Sequence, residues 1–189
     1  MDEYVINLIK NDDVFNFEQW CKEGRDFDQI VHFPENSPTI LSHSPPIISV
    51  AAYFGASNIF RYLSFKRANV LLTDDINNPP IAFAAAGGHE EIIEIIIQMG
   101  ISLCYQKQMK NVLHYASEFG NLPMLKYLVS LSQLDINSPD IKGTTPLFYA
   151  VSNSHLECIQ FLLSLEEIEV NNHDNEGVTS FIFIQPWFI

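Results

Sequence analysis

The 189-residue sequence is 47% hydrophobic and carries 10 Lys and Arg against 23 Asp and Glu, a formal net charge of -13. A chain of this length and apolar content can bury the core of one domain. This apolar content is not typical of a disordered protein. The negative charge repels phosphate groups and argues against nucleic acid as the main partner. Residues 1–40 hold nine acids and three bases, and residues 135–189 hold eight acids and one base.

Cysteine usage and the apolar runs indicate the cellular compartment. Cys21, Cys104 and Cys158 are far apart and lack CxxC spacing, so the sequence favours neither a disulfide framework nor a zinc ribbon. The first residues lack the basic start and apolar stretch of a secretory signal, and no apolar run approaches the ~20 residues of a membrane span. We expect a cytoplasmic protein, with the nucleus as the alternative, and no membrane partner.

The N-terminal residues predict two helices followed by a loop. The first helix has apolar residues at helical spacing, at Tyr4, Val5, Leu8 and Ile9. A second helical stretch lies in residues 11–24 and ends at a glycine. Residues 30–46 contain four prolines and predict an extended loop or an irregular hairpin.

A motif then recurs four times. Each copy has an apolar stretch with an alanine and, four residues later, a glycine or serine. The alanines are 33, 32 and 34 residues apart, at Ala51, Ala84, Ala116 and Ala150. The glycine-position residues keep this spacing, at Gly55, Gly88, Gly120 and Ser154. A fixed period of this length predicts a repeat protein in which each unit is one supersecondary structure.

A second apolar stretch follows each glycine position and also has helical spacing. In the second copy it follows Glu90 and Glu91, whose charges suit a helix N-terminus. The links between copies are rich in turn-forming residues, at 73–80, 106–111, 137–145 and 171–179. Each unit is therefore predicted to be a pair of short antiparallel helices.

A unit of about 33 residues with this pattern resembles the ankyrin repeat. The fourth copy is the fullest match, with Asp140-Ile141-Lys142-Gly143-Thr144-Thr145-Pro146-Leu147 before Ala150. The second copy supplies Gly88-His89-Glu90-Glu91, and the third supplies His114 at the histidine position of the motif. The resemblance implies an all-α ankyrin-repeat solenoid of stacked helix-turn-helix units with β-hairpin-like links. Alanine permits close approach of neighbouring helices, and proline suits a first helical turn.

The expected organisation has three parts. Residues 1–43 form a divergent cap, a degenerate repeat with a proline-containing loop, and arrays with such a segment are numerous in some protists. Residues 44–174 form four repeats, at about 44–76, 77–108, 109–140 and 141–174. Residues 175–189 begin a fifth repeat and then lose the pattern, because Ile184 stands where the alanine belongs. We expect this apolar end to pack back, to meet a partner or to aggregate. Truncation of a longer array is the alternative explanation.

Candidate catalytic and metal-binding residues have structural interpretations that we favour. The resemblance implies that His114 hydrogen-bonds within the turn and the first helix. His155 and Cys158 are three apart on one helix and give only half a metal site. The acidic pairs Asp74-Asp75 and Glu90-Glu91 suit solvated faces or helix ends better than paired catalytic carboxylates. We therefore predict no enzyme activity, no metal site and no cofactor.

The resemblance places partner binding on a concave face made of link tips and the last residues of the first helices. The first-helix candidates are Tyr53, Phe54, Glu118, Phe119, Ser152 and Asn153. The link-tip candidates are Asp75, Ile76, Asn78, Lys107, Gln108, Lys110, Ile141, Lys142, Thr144, Asn175, Glu176 and Val178.

Two features of this set predict the kind of contact. Exposed aromatic side chains are frequent interface anchors, which favours Tyr53, Phe54 and Phe119. An equally weighted interpretation is that these aromatics cover the core edge or contact residues 30–46. The three lysines of the set predict an acidic or mixed-charge partner.

The predicted function is a non-catalytic scaffold or adaptor that binds a protein partner. The alternative is a targeting module, or a truncated fragment, of a longer ankyrin-containing enzyme of the kinase or ubiquitin-pathway type. Neither the partner's identity nor the oligomeric state is specified by the sequence.

Overall fold

The computed structural model describes residues 2–34, 36–105 and 108–179. This part of the chain contains ten α-helices, one short 3-10 helix at Thr39–Ser42, and two short strands. The helices are α1 (Asp2–Lys10), α2 (Val14–Cys21), α3 (Ile47–Phe54), α4 (Ser57–Phe65), α5 (Pro80–Gly87), α6 (Glu90–Gln98), α7 (Val112–Glu118), α8 (Leu122–Ser130), α9 (Pro146–Ser152) and α10 (Leu156–Leu163). The strands are β1 (Cys104–Tyr105) and β2 (Lys110–Asn111). The predicted all-α class is confirmed.

The helices divide into two compact units, residues 1–101 and residues 102–189. In the first unit they pair as α1 with α2, α3 with α4, and α5 with α6. The first helices of the pairs pack in the order α1, α3, α5, and the second helices in the order α2, α4, α6. The first unit is thus a stack of three helix pairs.

The second unit repeats the arrangement with two pairs, α7 with α8 and α9 with α10. Helix α7 packs on α9, and α8 packs on α10. Strands β1 and β2 form an antiparallel hairpin before α7, with Cys104 opposite Asn111. This hairpin is a link of the kind that the resemblance implied. The limits of the four repeats stay a prediction, and the boundary after residue 101 falls inside the predicted repeat 77–108.

The motif alanines lie where the first helices meet. Ala51, Ala84, Ala116 and Ala150 are all fully buried. The helices are seven to nine residues long, which is too short for stability in isolation. Each pair is therefore stable only because its apolar face packs against the neighbouring pair.

Side chains at the helix N-termini satisfy backbone N–H groups that have no partner within the helix. The Asn111 side chain accepts from the N–H groups of Leu113 and His114 at the start of α7. The Thr145 hydroxyl accepts from Phe148 at the start of α9, where Pro146 occupies the first turn. Such caps contribute about 1 kcal/mol each to helix stability.

The turn between the two helices of a pair needs a left-handed residue. Gly120 has φ +67 and Ser154 has φ +60, so the serine adopts the conformation that glycine has in the other copies. At Gly120 there is a second requirement, since the His155 ring lies where a Cβ would be placed. The His155 Nε2 donates to the Glu118 carbonyl at 2.9 Å and ties the α9–α10 pair to the α7–α8 pair.

One aspartate closes each of three links. The carboxylates of Asp74, Asp140 and Asp174 accept from the N–H groups two and four residues later, at 2.7 to 3.1 Å. The prediction that Asp74 and Asp75 form a solvated pair is wrong for Asp74, which is buried because it satisfies the backbone of the turn. Burial raises the pKa of Asp74, although the Asn78 hydrogen bonds oppose this.

The predicted N-terminal helices form a full pair within the first unit. The Asp12 carboxylate accepts from the N–H groups of Asn58 and Ile59 at 3.1 and 2.9 Å, in the first turn of α4. The rings of Phe17 and Tyr62 pack edge to face at 6.1 Å. Helices α1 and α2 therefore extend the stack by one layer.

The proline-containing segment forms the irregular hairpin that the sequence allowed. Val31 donates to the Pro45 carbonyl at 2.9 Å, and Ile30 bridges Pro46 in antiparallel fashion. Within this segment, Ile40 and Leu41 of the 3-10 helix are buried. The predictions for Ile184 and the apolar end lie outside the described residues.

Replacing Gly120 with Ala should destabilise the protein more than replacing Gly100, because both have a left-handed backbone but only Gly120 faces the His155 ring. The backbone cost of about 1–2 kcal/mol is shared by both variants. We expect Gly120→Ala to lose at least about 1 kcal/mol more unfolding free energy in urea titration. Equal losses in the two variants would contradict the contact.

Candidate functional site

The link tips of the second unit are joined in a row by backbone hydrogen bonds. The Ile141 N–H donates to the Gln108 carbonyl at 2.9 Å, and the Asn175 N–H donates to the Lys142 carbonyl at 2.8 Å. The Asn175 side chain also donates to the Ile141 carbonyl at 3.0 Å. Three successive tips therefore have fixed positions relative to one another.

Several side chains of this row point to solvent. Ile141 is 58% exposed and Met109 is 53% exposed, both large apolar residues. Lys142, Asn175 and Glu176 are also exposed, whereas Gln108 and Val178 are half-buried. Met109 was missed by the sequence analysis. Its place at a link tip, between two predicted contact residues, was the signal that could have found it.

Two predicted link-tip residues are buried and do not present their side chains to a partner. The Asn78 side chain and N–H both donate to Asp74, so the residue lies inside its turn. Thr144 is buried because its N–H donates to Asp140 and its carbonyl accepts from His114. The structure therefore counts against Asn78 and Thr144 as contact residues.

Lys110 is also buried, with 8% of the residue exposed. Its Nζ lies 2.9 Å from a carboxylate oxygen of Glu118. It also lies 4.9 Å and 4.3 Å from the ring centroids of Tyr115 and Tyr149. Cation–π contact and the ion pair hold the ammonium group inside the second unit. Lys110 and Glu118 thus neutralise each other and do not give the surface a net charge.

The predicted cationic character of the site is reduced by this burial. Lys107 lies outside the described residues, and Lys110 is paired. Among the predicted lysines in the described part of the chain, Lys142 alone is exposed. The basis for expecting an acidic partner is therefore largely removed.

His114 lies in the same buried network and has a structural environment. Its Nδ1 accepts from the Asn111 N–H at 3.1 Å, and its Nε2 donates to the Thr144 carbonyl at 3.2 Å. Burial lowers the pKa of His114 to about 4, with the nearby Asp140 charge opposing the shift. The ring is neutral at pH 7 and joins α7 to the link before α9. This geometry supports the hydrogen-bonding role that the resemblance implied.

Tyr149 completes the network. Its hydroxyl donates to Asp140 at 2.9 Å, and burial together with this bond raises the pKa of Tyr149. The rings of His114 and Tyr149 meet edge to face at 5.8 Å. The network is built to hold the links in place, since its polar groups are directed at one another and at the backbone.

The predicted aromatic residues of the first unit are half-buried. The Phe54 ring lies 6.4 Å from Phe33 and beneath the Lys10 ammonium at 5.1 Å. Tyr53 packs edge to face on Phe54 at 5.2 Å. Phe54 thus contacts the segment 30–46, as the alternative interpretation had it.

The remaining predicted residues are placed as follows. At the link tip of the first unit, Asp75 and Ile76 are exposed. In the second unit Phe119 is half-buried, whereas Ser152 and Asn153 are exposed. Asn153 donates to the Tyr149 carbonyl at 2.9 Å, which ends α9.

The described residues contain neither a metal-binding cluster nor a membrane-spanning helix. Across residues 2–34, 36–105 and 108–179 there is no group of three or more His, Cys, Asp or Glu placed to hold a metal ion. In that part of the chain no helix has both the length and the apolar character needed to cross a bilayer.

The chain is similar to known proteins that contain ankyrin repeats over part of its length. A family model described as ankyrin repeats (many copies) matches residues 113–163, which contain α8, α9, α10 and nearly all of α7. The chain is 27% identical over 156 residues to alpha-latrotoxin-Lt1a of Latrodectus tredecimguttatus. It is 28% identical over 160 residues to alpha-latrotoxin-Lh1a of Latrodectus hasselti. The alignments cover 78% and 80% of this chain but 11% of each relative, so the chain spans about a tenth of their length.

Protonation of His114 should make stability depend on pH. The unfolded histidine titrates near 6.5 and the folded one near 4, so the unfolded chain binds more protons between these values. The stabilisation is complete above pH 6.5 and is lost as the pH falls toward 4. We expect this residue to account for a loss of roughly 3 kcal/mol in unfolding free energy over that range.

Urea titration at a series of pH values measures this effect. The variant His114→Gln should show a shallower fall in stability between pH 6.5 and 4 than the wild type. His155→Gln serves as the control, because His155 is only partly buried. The same slope in wild type and His114→Gln would rule out His114 as the source.

Proposed function

We propose that this chain, whose residues 113–163 match a family model of ankyrin repeats, is a non-catalytic scaffold or adaptor that binds a protein partner on the link tips of its second unit. Ankyrin repeats are protein-interaction modules. One observation supports this choice of surface: Met109 and Ile141 are both more than half exposed, on tips joined by a backbone hydrogen bond. Exposed large apolar residues that lie together indicate an interaction site more than scattered ones do.

The rigidity of the tips supports the proposal. Asp140 and Asp174 hold the backbone of two successive links by hydrogen bonds, and the row bonds connect neighbouring tips. A surface that is ordered before binding loses little conformational entropy when a partner docks. Ser152 and Asn153, at the C-terminal end of α9, are also exposed and offer further polar groups to a partner.

The exposed groups suggest the chemistry of the partner. Ile141 and Met109 offer apolar contact, and Lys142 and Glu176 offer one charge of each sign. A partner segment with apolar side chains flanked by mixed charge complements this surface. A strongly acidic segment does not, because Glu118 neutralises Lys110.

We also propose that the protein acts in the cytoplasm, with the nucleus as the alternative. Cys21 and Cys158 are buried free thiols, and burial raises the pKa of each to about 11. Such thiols stay protonated and unreactive at neutral pH, which suits a reducing compartment. Fluorescence imaging of the tagged protein tests this, and secretion into the medium would contradict it.

A second proposal places the same surface in a longer polypeptide, as a targeting module. It is favoured by the lengths of the relatives, since the alignment covers 11% of each. Sequencing the complete transcript distinguishes the two proposals. A reading frame that stops after Ile189 supports the free adaptor, and one that continues supports the module.

The binding surface is tested with a partner recovered by proximity labelling with the full chain. The double variant Met109→Ser and Ile141→Ser should weaken the measured affinity about tenfold or more, because it removes two apolar contacts. Phe65→Ser and Leu71→Ser form the matched control, since both residues are exposed apolar side chains of the first unit. Calorimetric titration gives the dissociation constants, and circular dichroism checks the helix content. Unchanged affinity in the tip variant would rule out this surface.

A further inference from the structure

In the second unit, the residues that directly follow α8 and α10 form a groove that contains none of the link-tip residues. The loop after α8 and the loop after α10 enclose an open cavity of about 480 Å³. Its apolar lining comes from Val129, Leu134, Ile136 and Leu165. This volume is within the range of pockets that bind small molecules, about 300–1,000 Å³.

The walls of the groove are fixed by one side chain. Asn137 Nδ2 donates to the Glu167 carbonyl at 2.7 Å, and Asn137 Oδ1 accepts from the Glu169 N–H at 2.9 Å. The amide thus joins the two loops in the way a neighbouring strand would. The groove is therefore formed before any ligand binds, which lowers the entropy cost of binding.

Carboxylates surround the apolar lining. Glu166 and Glu167 line the groove itself, and both are exposed. An adjoining polar cavity of about 340 Å³ is lined by Asp135 and Glu169, also exposed. Among the described residues that line these two cavities there is no Lys or Arg. An anionic ligand is repelled here, and a cationic one is attracted.

We infer that this groove, lined by Leu165 and by the exposed Glu166 and Glu167, binds a basic segment of a partner protein. The segment has one apolar anchor side chain between Lys or Arg residues. The anchor covers Leu134, Ile136 and Leu165, and the flanking cations face the carboxylates. Charge complementarity selects this occupant, since residues 135–179 hold eight acids and one base. The groove is lined by the first residues of these loops, whereas the link tips at Ile141, Lys142, Asn175 and Glu176 lie later in the same loops, so each set of side chains can be altered without the other.

The test uses the full chain and fluorescein-labelled synthetic peptides. The probe is Lys-Lys-Gly-Leu-Gly-Lys-Lys, and two companions replace its Leu with Ala or its Lys residues with Glu. Fluorescence anisotropy at about 0.05 M ionic strength, where screening is weak, gives the affinities. We expect saturable binding of the probe, several-fold weaker binding of the Ala companion, and no binding of the Glu companion.

Protein variants locate the binding. Glu166→Gln with Glu167→Gln should lower the affinity for the probe about fivefold, as two partly exposed ion pairs imply. Leu165→Ser should lower it by a similar factor. Glu90→Gln with Glu91→Gln is the matched control, because it removes an equally exposed acidic pair in the first unit. This control should bind the probe within twofold of the wild type.

Several results would overturn the inference. These are absence of saturable binding up to about 1 mM, an equal loss in the Glu90 and Glu91 control, or equal binding of the Ala companion. Analytical ultracentrifugation addresses a second copy of the chain as the occupant. Self-association of the wild type that Leu165→Ser abolishes would assign the groove to that copy and contradict the proposal.

Discussion

The close contact between the first helices of successive pairs is the interaction on which the rest of the structure depends. Helices of seven to nine residues are unstable alone, so each pair needs the burial that the next pair provides. Ala51 and Ala84 permit that contact between α3 and α5, and Ala116 and Ala150 permit it between α7 and α9. A larger side chain at any of these positions would separate the layers and expose apolar surface on both.

The stacking also determines where the links lie, and through them the candidate binding surface. With the helix pairs in register, one backbone hydrogen bond joins Gln108 to Ile141 and another joins Lys142 to Asn175. Some polar groups that the sequence suggested for binding are buried in the second unit and bind one another there. The main example is Lys110, which pairs with Glu118 and lies over the Tyr149 ring. What remains at the surface is an apolar pair and isolated charges. The same stacking positions the groove that Leu165 lines. This groove is more acidic than the link tips, because Glu166 and Glu167 also line it.

The sequence predicted the fold well because its signals are local and repeated. The alanine and glycine spacing located the helix pairs, and the His114 position had the hydrogen bonds that the resemblance implied. The contact residues were predicted less well, because exposure depends on partners distant in sequence. Lys110 is eight residues from Glu118 and 39 from Tyr149, and no link pattern indicates that it is enclosed by both. Phe54 likewise contacts Phe33, which lies in the irregular segment 30–46, and the sequence did not predict the path of that segment.

The stacking contact is tested most directly by the unfolding free energy of Ala150→Leu compared with Ser152→Leu. Both changes place a leucine on α9, one at a fully buried position and one at an exposed position. We expect Ala150→Leu to lose about 1–3 kcal/mol in urea titration, and Ser152→Leu to stay within about 0.5 kcal/mol of the wild type. Equal stability of Ala150→Leu and the wild type would contradict the close packing of the first helices.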